Sequence, residues 1–435
     1  MKILIFAPQI TSRIRYTFSL FFTHLGKADY SITDEPEAIS VHDGPVINYS
    51  GSEFENTLWF PPSRLLFESG LSDEEPELVI DKELKGAYGT RKNPYIKFDI
   101  FASAFYLVSR YEEYLPHLRD QYNRFSAKYS FAFKHGFLQK PMINYYAGFL
   151  FDLIEKNYPG FKVKRNKYKF LNTIDIDNAW AYKEKGVVRT VGGIFKDLVT
   201  FNYKNLNYRI RVMVGNKKDP YDNFTYFRSI KKKYKFNSLY FILLADYGLN
   251  DKNVPVWSKK FRSLIQSISD YASVGIHPSF GSNTKPEKLK VEIRRLSAIT
   301  KFEITRSRQH FLILNLPETY QRLIENEITE DYTMGFALEA GFRASICIPY
   351  PFYDVDREEI TTLMIHPFAV MDATLKYYMK LNPDQACEVI GKLIAEVKKV
   401  NGKFIGLWHN ETVSDKDLWQ GWRRVYEFMI SNAAL

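Results

Sequence analysis

The sequence has little cysteine, no low-complexity tract and no long apolar run. Cys347 and Cys387 are its two cysteines, and they provide neither a disulfide framework nor a CxxC metal motif, which fits a reducing compartment. No stretch approaches the ~20 apolar residues that a spanning helix needs. The first apolar run ends at Pro8 and lacks the long core and cleavage site of a signal peptide. We therefore expect a cytoplasmic protein without a membrane span.

Positive charge exceeds negative charge, but no nucleic-acid signature accompanies it. The net charge is +10, and short basic clusters lie at 162–169 and 231–235. Such a surplus favours anionic partners. Zinc-finger spacing and aromatic RNA-binding motifs are both missing, so we interpret the clusters as solvated approaches to buried strands and expect no nucleic-acid partner. Nothing in the sequence indicates an oligomeric state.

The length of 435 residues predicts two domains. A typical domain has about 150 residues, but an α/β barrel can take roughly 250 as one domain. Residues 1–160 read as an N-terminal α/β domain of unknown role. Strands are predicted at 2–7 and 46–49, and helices at 14–25, 98–114 and 141–157. In the second of these helices, Glu112 and Glu113 are expected to point outward.

Residues 168–435 alternate short apolar runs with helical patterns, which predicts a parallel sheet or a (β/α) barrel. The predicted strands are FLNTIDID, SLYFILLA, SVGIH, HFLIL, FRASICI and KFIGLWH; the predicted helices are 257–271, 285–299, 317–327, 333–340 and 384–399. Polar residues follow several of these strands. Barrel active sites form at such strand ends.

Four of these strand ends carry residues suited to hydrolytic chemistry. Asp175 and Asp177 share one face of a strand end, where one can bind a metal and the other act as a base, although turn capping is the alternative. His277 and His409 each close an apolar run, as metal ligands or as structural histidines. Arg308 either orients a carboxylate or forms a surface ion pair. Together they suit metal-assisted hydrolysis of an amide or ester.

In this order, these residues resemble the polysaccharide deacetylases of carbohydrate esterase family 4, the NodB-homology group. The resemblance runs from about 168 to about 415 and is strongest for a bacterial subgroup with an extra N-terminal domain, whose character is also visible in FDIFASAFYLVSRYEEY and DYTMGFALEAGFRAS. It implies a distorted (β/α) barrel and a divalent metal, often zinc, that serves to remove acetyl groups from glycans.

The resemblance also implies a role for each site residue. Asp175 would be the catalytic base, held by Arg308, and His409 the general acid. Asp177 and His277 would bind the metal.

Two positions depart from the family pattern. Gly281 stands where a second metal-binding histidine is usual, four residues after His277, and Ile176 separates two aspartates that are often adjacent. His310 or Asn283 are the candidates for the missing ligand. Two hypotheses therefore stay open: a metal-dependent deacetylase acting on a sugar or polysaccharide intermediate, and a non-catalytic glycan-binding or scaffolding protein on a degenerate barrel.

Further residues have weaker claims to the site. Asp246 either lines the pocket or caps a turn. Asp331 and Arg343 pair with one another or with substrate. His366 and Trp419 are expected to be structural.

Overall fold

The computed structural model describes residues 2–73, 75–90 and 92–434 of a mixed α/β protein with two main sheets, whose strands are mostly parallel. The outermost positions of the two predicted domains, 1 and 435, lie outside the described residues. Among these residues, no helix combines the length and the apolar character that crossing a membrane requires.

The strands of the N-terminal region are β1 Ile3–Phe6, β2 Gly26–Lys27, β3 Tyr30–Thr33, β4 Val46–Asn48, β5 Leu58–Trp59, β6 Val79–Asp81 and β7 Leu84–Gly86. Four of them form the first sheet, in which they are parallel and have the order β3-β1-β4-β5. Its helices are α1 Ser12–Ser19, α2 Glu37–Val41, α3 Ile100–Val108, α4 Phe131–Lys134 and α5 Met142–Asn157. The strands predicted at 2–7 and 46–49 and the helix at 141–157 are confirmed.

The helix predicted at 98–114 is shorter, and the expected orientation of its two glutamates is wrong. Asp99 caps the N-terminus of α3 by accepting from the amides of Phe101 and Ala102. The helix ends before Arg110, which has a left-handed backbone with φ of 58°. This turn directs Glu112 and Glu113 inward, and both are buried.

The strands of the second part of the chain are β8 Lys164–Arg165, β9 Lys169–Ile176, β10 Asn237–Ile242, β11 Ser273–Ile276, β12 Arg306–Ser307, β13 Glu330–Asp331, β14 Tyr350–Asp354, β15 Glu359–Ile365, β16 Val370–Met371 and β17 Lys403–His409. β8 pairs with β2. The other nine form the second, large sheet in the order β14-β15-β13-β12-β11-β10-β9-β17-β16. All neighbours in the large sheet are parallel except β14 and β15. The pairing follows one line, so a closed barrel is not shown.

Eight helices accompany the second sheet among the described residues: α6 Val187–Val199, α7 Tyr203–Met213, α8 Phe224–Tyr234, α9 Lys259–Ser269, α10 Glu287–Thr300, α11 Glu318–Glu325, α12 Pro383–Lys399 and α13 Trp422–Ala433. The predicted helices 257–271, 285–299, 317–327 and 384–399 are confirmed, but 333–340 is irregular. HFLIL is a turn rather than a strand because Phe311 and Leu312 have positive φ. FRASICI is also irregular, with a positive φ at Ser345.

Candidate active site

The register of the large sheet brings the four predicted motifs to one edge. His409 pairs with Asp175 across β17 and β9, and Ile276 pairs with Ser307 across β11 and β12. The residues that follow these strands therefore meet at one mouth. A cavity of about 200 Å³ opens there. Its lining consists of Arg124, Asp175, Asp177, His277, Gln309, His310, Phe311, Leu312, Met371, Ala373, Tyr377, Tyr378, His409, Glu411, Thr412 and Trp419.

Three side chains in this cavity form a candidate metal centre. One ligand atom from each of Asp177, His277 and His310 lies within 4.8 Å of the others. His277 Nε2 is 3.1 Å from Asp177 Oδ1, and His310 Nε2 is 3.5 Å from Asp177 Oδ2. Asn283 is not part of this group, since its amide donates to backbone carbonyls in its own turn. His310 is thus the sequence candidate that joins the cluster.

The hydrogen bonds of the two histidines leave the correct nitrogens for a metal. His277 Nδ1 donates to the carbonyl of Arg308 at 2.5 Å, and His310 Nδ1 donates to Asp251 Oδ1 at 3.0 Å. In the neutral form of each ring, Nε2 therefore carries the lone pair and faces Asp177, which is the usual arrangement of metal-binding histidines. Asp177 Oδ1 is buried without a hydrogen-bond donor among the described residues. One carboxylate and two imidazoles suit a catalytic zinc site with three protein ligands.

The electrostatics of the cluster favour a cation. Burial disfavours ionisation of Asp177, but His310 and His409 outweigh it and hold the pKa of Asp177 well below its usual range. Burial likewise opposes the charged form of His310, yet Asp177 and Asp251 raise the pKa of His310 to about 9. A proton on His310 experiences the same negative field that a divalent ion would experience.

Asp175 lies beside the cluster in contact with an arginine. Arg308 Nη1 donates to Asp175 Oδ1 at 3.0 Å and to Thr173 Oγ1 at 2.7 Å. The guanidinium is fully buried, and it lies over the ring of Phe241 at 4.6 Å. Its Nε donates to the carbonyl of Tyr332. Arg308 is therefore a buried partner of Asp175, and the surface ion pair that the sequence left open is excluded.

His409 also lies next to the cluster. Its Nε2 is 3.7 Å from Asp177 Oδ2, and its Nδ1 is 2.8 Å from Asp372 Oδ1. Burial lowers the pKa of His409, but Asp372 and Asp177 outweigh burial and raise the pKa well above its usual value. His409 is thereby held as a proton donor at the cavity.

Four further residues at the site were not found from the sequence. Asp251 orients His310 and also accepts from the backbone of Gly281 at 3.1 Å. Asp372 follows β16, Glu411 follows His409, and Arg124 comes from the N-terminal region. Burial raises the pKa of Glu411, His409 lowers it, and the negative charges of Asp177 and Asp372 raise it further, so that the pKa is about 7. The short run before Asp372 was a usable signal for that residue, but nothing near Arg124 or Asp251 indicated a site.

Of the residues with weaker claims to the site, only Trp419 lines the cavity. Asp246 pairs with Arg295 on the surface, and Asp331 accepts from Thr333 instead of pairing with Arg343. Arg343 binds Glu113. His366 contacts Glu330 and Lys403 around β13 and the start of β17, away from the cavity.

Comparison with known families assigns no role to the residues of the cavity. A family of unknown function, DUF7033, matches residues 3–159. A search of curated proteins gave no match.

Two solved structures described as polysaccharide deacetylases and one described as a family 4 pseudoenzyme each overlap with 62% of the chain. One, described as a polysaccharide deacetylase from Mycobacterium smegmatis, is 13% identical with a TM-score of 0.41 over 84% of its own length. A deacetylase from Bacillus cereus is 10% identical with a TM-score of 0.30 over 87%. A family 4 pseudoenzyme from Bacillus anthracis is 12% identical with a TM-score of 0.28 over 61%. With TM-scores this low, these likenesses support no assignment by themselves.

Proposed function

We propose that the chain is a metal-dependent hydrolase that removes an acetyl group from a sugar or polysaccharide intermediate. One observation carries the proposal: a candidate three-ligand metal centre lies in one cavity between an Arg308-bound carboxylate and an Asp372-bound histidine. A base, an acid and a cation site on one cavity are the components of metal-assisted amide or ester hydrolysis. We also propose that the large sheet and its helices form the distorted (β/α) barrel that the resemblance implies.

Asp177, His277 and His310 would hold the ion. A divalent ion there supplies a Lewis acid that polarises the acetyl carbonyl and lowers the pKa of water. Asp175 takes the proton of the attacking water, while the hydrogen bond from Arg308 Nη1 orients this carboxylate.

His409 donates its proton to the departing sugar nitrogen or oxygen as the bond to the acetyl carbon breaks. The products are acetate and the deacetylated sugar.

The cavity wall fits a sugar ring. Tyr377, Tyr378 and Trp419 are among the lining residues, and aromatic faces pack against the apolar faces of pyranoses while their polar edges bind hydroxyl groups. An acetylated glycan is therefore the substrate class that we propose. Zinc is the proposed metal because its protein ligands are typically nitrogen, sulfur and carboxylate oxygen in a three-ligand catalytic site.

Metal content and acetate release test this function together. We expect about one zinc per wild-type chain and loss of this zinc in Asp177→Ala, His277→Ala and His310→Ala. Proteins that hold zinc should release acetate from acetylated chito-oligosaccharides, and the variants that lack zinc should not. His42→Ala is the matched control, because His42 contacts the backbone of Lys2 in the N-terminal region. It should retain the metal.

The other hypothesis predicts a different result. A glycan-binding protein on a degenerate barrel would bind the oligosaccharide and release no acetate with any divalent ion added. Gly281 suggested that hypothesis from the sequence, but His310 offers a third candidate ligand, so Gly281 alone gives no reason to prefer it. Binding without acetate release by the metal-loaded protein would overturn the proposed hydrolase.

A further inference from the structure

The helical hairpin α6–α7 distributes its side chains in the opposite way to an ordinary surface helix. Asp197 is the one buried residue of α6, with 5% of its surface exposed, whereas Val188 is 85% and Phe195 64% exposed. A surface helix usually turns its apolar stripe to the core. The exposed apolar residues of the hairpin and its connection are Val187, Val188, Val191, Phe195, Leu198, Val199, Phe201, Tyr203, Ile210, Met213 and Val214.

Polar contacts hold the two helices together, so the apolar face is not needed for their packing. Asp197 accepts from Arg209 Nε and from the Asn205 amide, each at 2.8 Å. The helices cross closely at Gly193, where an added Cβ would lie 2.6 Å from the Arg209 guanidinium. The apolar face is therefore free to contact something else.

A neighbouring loop extends this surface. Arg189 of α6 donates to the carbonyls of Asn253 and Lys252, and its guanidinium lies 4.4 Å from the ring of Tyr247. Tyr247 is exposed, as are Leu249 and Trp257 farther along the loop. The hairpin and this loop together form what we term the apolar platform. Exposed patches of this kind mark sites of interaction.

Positive charge is concentrated in the same segment. Residues 183–218 contain nine basic and two acidic residues, a surplus of seven, while the whole chain has a net charge of +10. Lys196, Lys204 and Arg211 are exposed beside the apolar residues. This charge disfavours a second copy of the hairpin as the occupant, because two such surfaces would repel one another. It favours an anionic partner with an apolar interior.

We propose that the apolar platform docks on the surface of an anionic lipid bilayer. Helices that lie in a membrane interface combine an apolar face with lysine and arginine, and insert aromatic and aliphatic side chains at the boundary between headgroups and acyl chains. Trp257, Tyr247 and Tyr203 are residue types that concentrate at this depth. The docking is peripheral and involves no spanning segment.

The platform is connected to the edge of the sheet that carries the cavity. The hairpin follows β9, which ends just before Asp177, and the carbonyl of Asn178 accepts from the side chain of Asn410, the neighbour of His409. Asp219, after α7, accepts from the amides of Ala181 and Tyr182. Docking would thus hold the cavity close to the bilayer, whether or not the cavity hydrolyses acetyl groups.

Vesicle co-sedimentation tests the docking independently of any activity. The full chain should sediment with vesicles of phosphatidylglycerol and phosphatidylcholine, bind at least tenfold less to phosphatidylcholine alone, and lose binding as salt rises, because salt screens the lipid charge. The double variant Val188→Asp/Phe195→Asp should bind at least tenfold less, and Lys196→Gln/Lys204→Gln should weaken binding to anionic vesicles. These exposed substitutions leave the core unchanged.

Leu118→Asp is the matched control, since Leu118 is 67% exposed in the N-terminal region, and it should bind like wild type. Equal sedimentation of wild type and Val188→Asp/Phe195→Asp would overturn the proposal. A second result would also overturn it: light scattering shows a wild-type dimer, the double variant is a monomer, and neither protein binds vesicles. The apolar platform would then be an interface between copies of the chain.

Discussion

A single carboxylate, Asp372, fixes both the ring and the backbone of His409. Its Oδ1 accepts from His409 Nδ1 at 2.8 Å, and its Oδ2 accepts from the His409 amide at 2.7 Å and from Thr412 Oγ1 at 2.6 Å. Asp372 is fully buried, so these bonds act in a medium of low dielectric. The ring is therefore held with Nε2 toward the cavity.

Asp372→Asn should lower kcat for deacetylation by about 100-fold or more, because correctly placed general acids contribute 10²–10⁴-fold and an amide cannot supply the charge that stabilises the imidazolium. The zinc content should not change, since Asp372 does not contact the ligand group. Asp246→Asn is the control, as this carboxylate pairs with Arg295 on the surface. An unchanged kcat in Asp372→Asn would contradict the acid role proposed for His409.

Among individual residues, those at the carboxyl ends of parallel strands were the ones whose place in the site could be predicted from the sequence. Asp175, Asp177, His277 and His409 could be predicted to meet, because the carboxyl ends of neighbouring parallel strands share one edge. His310 could only be named beside Asn283 as an alternative. Its Nε2 reaches Asp177 because the chain turns at Phe311, and no local pattern in the sequence encodes that turn.

Loops, rather than strands, supply the supports of the site. The segment 119–124 of the N-terminal region holds the loop that carries His310: Arg124 Nη1 donates to the carbonyl of Phe311 at 2.8 Å, and Arg119 Nη1 donates to Asn315 Oδ1. The rings of Tyr122 and Phe311 are 5.1 Å apart. Phe311 has φ of 59°, a left-handed conformation that costs a non-glycine residue about 1–2 kcal/mol. These contacts offset that cost.

Arg124→Ala should therefore weaken metal binding by roughly 10-fold, the lower end of effects seen when an outer-shell support is removed. The affinity can be measured with Co²⁺ by its visible absorption, whose band shape reports the ligand geometry. Arg165→Ala is the matched control, because Arg165 pairs with Asp152 on the surface. An unchanged affinity and spectrum in Arg124→Ala would show that the loop keeps its conformation without this contact.

Elements with a strong period were predictable, and irregular ones were not. The helical pattern at 384–399 corresponds to α12, whose Asn382 and Gln385 form a capping box. HFLIL and FRASICI have the composition of strands, but positive φ values and burial among other loops override that preference. The hairpin α6–α7 was not predicted, although Val187, Val191 and Phe195 recur at helical spacing. That spacing could not have shown that the apolar face is exposed.

On the scale of the whole molecule, buried charges connect the N-terminal region to the irregular segment between β13 and β14. Glu113 accepts from Arg110 Nε at 2.7 Å and from Arg343 Nε at 2.9 Å, and Arg110 Nη1 donates to the carbonyl of Arg343. Glu112 also pairs with Arg110. Burial disfavours the charged form of Glu113, but Arg343 and Arg110 outweigh it and lower its pKa to about 2. The two predicted domains thus share a buried ionic contact.

Glu113→Gln should lower the free energy of unfolding at pH 7 by about 3–5 kcal/mol, because it leaves the buried guanidinium of Arg343 without its carboxylate and leaves Arg110 paired with Glu112 alone. Since the folded pKa lies below the ordinary value of 4.5, the stabilisation is present above about pH 4.5 and is lost as pH falls toward 2. The variant should accordingly lose less stability than wild type over that interval. Urea unfolding at pH 7 and at pH 3 measures both effects. Asp152→Asn is the control, because Asp152 forms an exposed ion pair with Arg165, and its loss should lower the free energy of unfolding by about 1 kcal/mol or less. Equal urea midpoints for Glu113→Gln and Asp152→Asn at pH 7 would mean that the contact between the two regions depends on apolar packing rather than on this carboxylate.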